Sequence, residues 1–140
     1  MGALLKTEER RNYRRISDAI GLRIDVIDAA NQSDVEQVEL PDYPTHVVSL
    51  SPSGLKCYHT DSFNEGDRVV LTIRLFPEQS VYEIEGLVAN SGEDRTRSKN
   101  DRFFAGIAFT NMQDEVATAL LDHIDLVARQ SFGGAVKLIN

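Results

Sequence analysis

Apolar and polar positions alternate with a period of two through most of the chain, in short runs separated by turn residues. Leu22-Arg23-Ile24-Asp25-Val26-Ile27 sets apolar against charged side chains, as a strand with one buried face does. His46-Val47-Val48-Ser49-Leu50 leads into the turn signal Ser51-Pro52-Ser53-Gly54, and Leu55-Lys56-Cys57-Tyr58-His59 resumes the alternation, so this pair predicts a hairpin. Val69 to Phe76 is rich in β-branched residues, Tyr82 to Val88 alternates again, and Phe103 to Phe109 supplies a sixth strand. Asn64-Glu65-Gly66-Asp67, Pro77-Glu78-Gln79-Ser80 and the polar run Ser91 to Asp101 mark the turns between these strands.

The period then becomes helical. Val116, Leu120, Ile124 and Val127 follow one another at spacings of four, four and three. Asn111 or Gln113-Asp114 starts this helix, Glu115 suits the positive end of its dipole, and Gly133-Gly134 is expected to stop it after Phe132. Six short antiparallel strands solve their edge problem by curling into a small barrel, with the terminal helix over an open end or a seam. The expected class is all-β with one helix.

With 140 residues, 41% of them hydrophobic and 26% charged, the chain is sized for one soluble domain that needs no metal or disulfide to fold. No repeat or long Pro/Gly/Ser-rich linker divides it. The single cysteine, Cys57, has no internal disulfide partner, and no Cys and His set has zinc-site spacing; both fit a reducing cytoplasm. Neither a membrane span nor a secretory signal is expected, because no apolar run approaches the length of a span and Met1-Gly2-Ala3-Leu4-Leu5-Lys6 is too short for a secretory core.

Charge distribution narrows the function further. The net charge of −7 argues against coating a nucleic acid polymer through a general field. Residues 1–24 nevertheless hold Lys6, Arg10, Arg11, Arg14, Arg15 and Arg23 against only Glu8, Glu9 and Asp18. A basic segment ahead of an acidic body suits a small anionic ligand, and equally an arm lying on its own acidic barrel.

Two clusters carry candidate chemistry. In Glu9-Arg10-Arg11-Asn12-Tyr13-Arg14-Arg15-Ile16, planar guanidinium groups can grip phosphate with paired hydrogen bonds and stack on a purine, or simply pair with nearby carboxylates. In Ser49-Leu50-Ser51-Pro52-Ser53-Gly54, Ser49 and Ser51 offer hydroxyls on one side of a strand end, and Gly54 allows positive φ or close approach of a ligand; an ordinary hairpin turn uses the same residues. His46, His59 and His123 are isolated, and Cys57 is a strand residue, so none is assigned chemistry. No nucleophile triad, metal quartet or phosphate loop is present, so no enzyme, cofactor or metal is expected.

Together and in this order, the clusters resemble the PilZ domain family, whose members bind the bacterial second messenger cyclic di-GMP. Arg11-Asn12-Tyr13-Arg14-Arg15 matches the family's R-x-x-x-R motif and is followed by aliphatic Ile16. Ser51 and Gly54 match D/N-x-S-x-x-G, with Ser49 where the family has Asp or Asn. Strand six, with Gly106-Ile107-Ala108-Phe109, and the closing helix extend the resemblance over roughly residues 8–130.

The resemblance implies a six-stranded antiparallel Greek-key-like β-barrel plus C-terminal helix over residues 21–135, preceded by a flexible basic arm over 1–20. It implies that Arg11 and Arg15 hold phosphates and stack on guanine, that Ser51 and Gly54 meet a guanine edge, and that Arg10 accompanies a pair of intercalated ligands. Losing the Asp or Asn acceptor at Ser49 costs about 0.5–1.5 kcal/mol, or about 1.5–3 if it is charged, which is roughly 3-fold to 100-fold in affinity. The function implied is a cytoplasmic cyclic di-GMP receptor that orders its arginine arm and signals to an unidentified partner protein in motility, biofilm or exopolysaccharide control. The alternatives are a degenerate adaptor that contacts protein through the loop Gly92 to Lys99 or the outer helix face, and another small-barrel binder of nucleic acid or anions.

Overall fold

A computed structural model describes residues 15–27 and 40–139. It contains six strands, β1 (Ile16–Val26), β2 (His46–Ser51), β3 (Gly54–His59), β4 (Arg68–Arg74), β5 (Val81–Glu93) and β6 (Phe103–Asn111), and a helix α1 (Asp114–Ile139). A short 3-10 turn, Lys99–Asp101, precedes β6. The strands close into an antiparallel barrel in the order β1-β2-β3-β6-β5-β4, so β6 crosses over to lie between β3 and β5 and no strand edge is left unpaired. Two register shifts, between Glu85 and Gly86 and between Val88 and Asn90, put bulges into the β5–β6 pair, which lets a sheet this small bend around.

The alternation read from the sequence is what fills the barrel. Ile20 and Leu22, Val48 and Leu50, Leu55 and Cys57, Leu71 and Ile73, Ile84 and Val88, and Ala105 and Ile107 all lie in one buried cluster. Val116, Leu120 and Ile124 of α1 join that cluster, so the helix closes the barrel with the predicted face, while Val127 is half-buried. The helix begins as expected: the Ala117 N–H donates to the Gln113 carbonyl at 2.9 Å, and Asp114 and Glu115 occupy the first turn.

The structure departs from the sequence reading at element ends. Strand β1 starts at Ile16, so residues 16–20, expected in the arm, are part of the barrel wall. The apolar pattern missed this stretch because Asp18 interrupts it, and Asp18 is there to meet a histidine of α1. Strand β5 runs on to Glu93, and Ser91, Gly92 and Glu93 pair with Ala105, Phe104 and Phe103; backbone pairing does not require apolar side chains. The helix passes through Gly133 and Gly134 instead of stopping after Phe132. Glycine in a helix interior costs about 1 kcal/mol relative to alanine, which weakens the helix without ending it.

Candidate functional site

Arg15 lies just ahead of β1 and is exposed. Its guanidinium donates to the backbone carbonyl of Ser49 at 3.3 Å, bridging the first motif to the second across the β1–β2 pair. The contact uses the carbonyl of Ser49, and the Ser49 hydroxyl has no hydrogen-bond partner among the described residues. Arg10 and Arg11 lie outside the described residues.

Register builds a surface around that contact. Ser17 is opposite Ser49, Ser49 opposite Lys56, Lys56 opposite Gly106, and Gly106 opposite Asn90, so a single polar row crosses β1, β2, β3, β6 and β5. None of the five is buried. A Cβ on Gly106 would collide with the Asn90 amide, so the glycine is what lets Asn90 fold down over the sheet. The Lys56 ammonium sits 5.0 Å from the centroid of the Phe104 ring. Among the described residues neither Arg15 nor Lys56 has a carboxylate partner. In a chain with 22 acidic side chains, two cations that flank one serine and have no carboxylate partner among the described residues make a local positive field.

Sequence reasoning missed Lys56 and Phe104. Lys56 occupies an ordinary outward strand position, and only the β2–β3 register puts it beside Ser49. The neighbouring surface is tied down by stacking: the Arg97 guanidinium lies 3.6 Å above the Tyr58 ring, and Tyr58 meets Phe104 edge-on at 6.4 Å. Arg97 is also bonded to Asp101 at 2.9 Å, so its charge is spent within its own loop.

Ser51 and Gly54 have firm structural duties. The Ser51 hydroxyl donates to the Gly54 carbonyl at 3.1 Å and lies 3.3 Å from the Ser53 hydroxyl, closing the turn between β2 and β3. The Phe109 N–H donates to the Ser53 carbonyl at 2.9 Å, holding that turn against β6. A Cβ on Gly54 would run into the Ile107 carbonyl, so close passage of β6 is the reason for glycine here. Gly54 does not have a positive φ; the one glycine that does, among those described, is Gly66 at 91°.

The remaining candidates separate clearly. Burial pushes the Cys57 thiol up to about 12, which removes it as a nucleophile. His46 and His59 stack in parallel with ring centroids 5.4 Å apart, and burial lowers the pKa of both, with mutual repulsion adding to the effect at His46. His123 is 1% exposed. Its Nε2 is 2.6 Å from an Asp18 carboxylate oxygen and its Nδ1 2.7 Å from one of Glu78. Those partners are 105 and 45 residues away in sequence, beyond the reach of any local pattern. Among the described residues, no group of three or more His, Cys, Asp and Glu side chains is arranged to hold a metal ion, and no helix is long and apolar enough to cross a membrane.

The family model of the PilZ domain matches residues 9–126, which takes in both motifs and every strand. The chain belongs to the PilZ domain family. No curated protein sequence matches it. Solved structures show the same fold at low identity. The Bacillus subtilis inhibitor of motility, MotI/DgrA, superposes with a TM-score of 0.59 at 19% identity over 89% of this chain, which spans only 52% of that protein. The PilZ domain of YcgR from Escherichia coli, solved with c-di-GMP, gives 0.59 at 18% identity, covering 91% of this chain and 98% of that one. A tetrameric PilZ domain from Xanthomonas campestris, self-assembled through a helical bundle, gives 0.58 at 10% identity over 94% and 99% of the two chains.

Proposed function

We propose that this PilZ domain is a receptor for cyclic di-GMP, bound on the outer face of the barrel where Arg15, Ser49 and Lys56 converge. The observation that carries the reading is the pair of cations, Arg15 and Lys56, left without carboxylate partners among the described residues on either side of Ser49. A doubly anionic ligand supplies the missing charge. In this reading Arg11 and Arg15 take the phosphates, Arg10 extends the grip toward a second nucleotide, and Ser49, Ser51 and Gly54 line the base.

Ligand binding orders the arginine segment over the barrel, and the altered surface is read by a partner protein. Motility control is the process suggested by the name of the inhibitor MotI/DgrA, whose fold this chain shares. Ser49 supports a second reading, a PilZ adaptor that has given up the nucleotide and works through protein contact alone.

Thermal melting in the presence of ligand separates the two. Saturating cyclic di-GMP at about 100 times its Kd stabilises a receptor by about 2.7 kcal/mol, which raises Tm by about 5 °C or more, whereas GTP leaves it unchanged. An unchanged Tm with both nucleotides favours the adaptor.

A further inference from the structure

His123, isolated from other histidines in the sequence, is the most completely enclosed polar side chain of the described helix. It joins three elements: α1, which carries it; β1, which carries Asp18; and the turn between β4 and β5, which carries Glu78. Both ring nitrogens face carboxylate oxygens, at 2.6 and 2.7 Å. A neutral imidazole has one N–H and one lone pair, so it can donate to one carboxylate only and sets its lone pair against the other. A charged ring donates to both. Within α1, the positions one turn either side of His123 are Ala119, Leu120, Leu126 and Val127, none of which is charged, and the adjacent Asp122 is exposed.

We propose that Asp18, His123 and Glu78 form a proton-dependent latch that fastens α1 to the barrel, closed when the imidazole carries its second proton and loosened when it loses it. Asp18 lies in β1, three residues beyond Arg15, which stands just ahead of that strand, so the latch ties the helix to the strand that leads out of the arginine motif. The direction of titration agrees with the geometry. Burial works against the charged ring, but the hydrogen bonds and charges of Asp18 and Glu78 outweigh it and raise the pKa of His123 above the ordinary histidine value. A group whose pKa is raised on folding stabilises fully below its unfolded value, near 6.5, and the benefit disappears as pH climbs through the folded value. The helix is therefore held tightest below about pH 6.5 and progressively less tightly as pH climbs through the raised value of His123. The latch does not depend on the nucleotide reading.

The test follows the His123 ring and the α1 amides by NMR in the same full-length sample as pH is raised from about 5.5 to 9. The His123 ring is expected to titrate above the ordinary histidine range, and protection of the amides from Val116 to Val127, corrected for intrinsic exchange, to fall about tenfold or more over the same interval. Glu78→Gln, at a partly exposed position, is expected to move both midpoints downward together while the barrel amides keep their protection. His123→Leu, if it folds, is expected to lose the pH dependence of α1 protection altogether. Amide protection that stays flat through the His123 titration overturns the latch, as does a ring already neutral at pH 6.

Discussion

The guanidinium of Arg15 is bonded to the main-chain carbonyl of Ser49, 34 residues away, at 3.3 Å. One motif thus reaches the other through backbone, and the identity of side chain 49 is not needed to make the bridge. On the receptor reading, that side chain is the part of Ser49 that would face the ligand. Replacing the serine by aspartate, Ser49→Asp, restores the longer acceptor that the family uses. We expect it to tighten cyclic di-GMP binding by roughly 3-fold to 100-fold, as measured by calorimetry. Equal or weaker binding would show that position 49 does not meet the base.

Lys56 supplies the second cation of the site through the register of β2 and β3. Lys56→Met keeps an unbranched apolar side chain of nearly the same length while deleting the charge that sits 5.0 Å from the Phe104 ring centroid. The expected outcome is cyclic di-GMP affinity lower by about tenfold, with a thermal unfolding curve that does not move, since an exposed substitution of this kind changes stability by about 0.5 kcal/mol or less. An unchanged Kd would remove Lys56 from the site.

Gly54 makes the opposite prediction. Its missing side chain is the space through which the Ile107 carbonyl passes, so Gly54→Ala forces β3 and β6 apart. A loss of about 1–3 kcal/mol in chemical denaturation is expected even with no ligand present. A variant of native stability would show that the passage of β6 does not require glycine at this position.

The parts of this structure that depend on local pattern were legible in the sequence. Alternation located all six strands, and the 116, 120, 124 spacing named the face of α1 that closes the barrel. The first five residues of β1 were not legible, because Asp18 interrupts the apolar pattern for the sake of His123, which lies 105 residues away. The extension of β5 was hidden for a related reason: Ser91 to Glu93 pair through backbone and carry no apolar signal. At the site, the motif residues Arg15, Ser49, Ser51 and Gly54 could be named, but their division of labour could not. That Ser51 closes its own turn and that Gly54 makes room for β6 are facts of tertiary packing. Lys56 became visible only with the strand register.

The most direct test of the central claim is a calorimetric titration of the protein with cyclic di-GMP, run beside Arg15→Ala and with GTP as the control ligand. Arg15 is exposed and its one hydrogen bond among the described residues is to the Ser49 carbonyl, so the variant is expected to fold as the parent does. The receptor account predicts micromolar or tighter binding to the parent protein, loss of at least about tenfold in affinity in the variant, and no heat with GTP. A parent protein that gives no heat with cyclic di-GMP at about 100 μM, or one whose affinity survives removal of Arg15 unchanged, would contradict it.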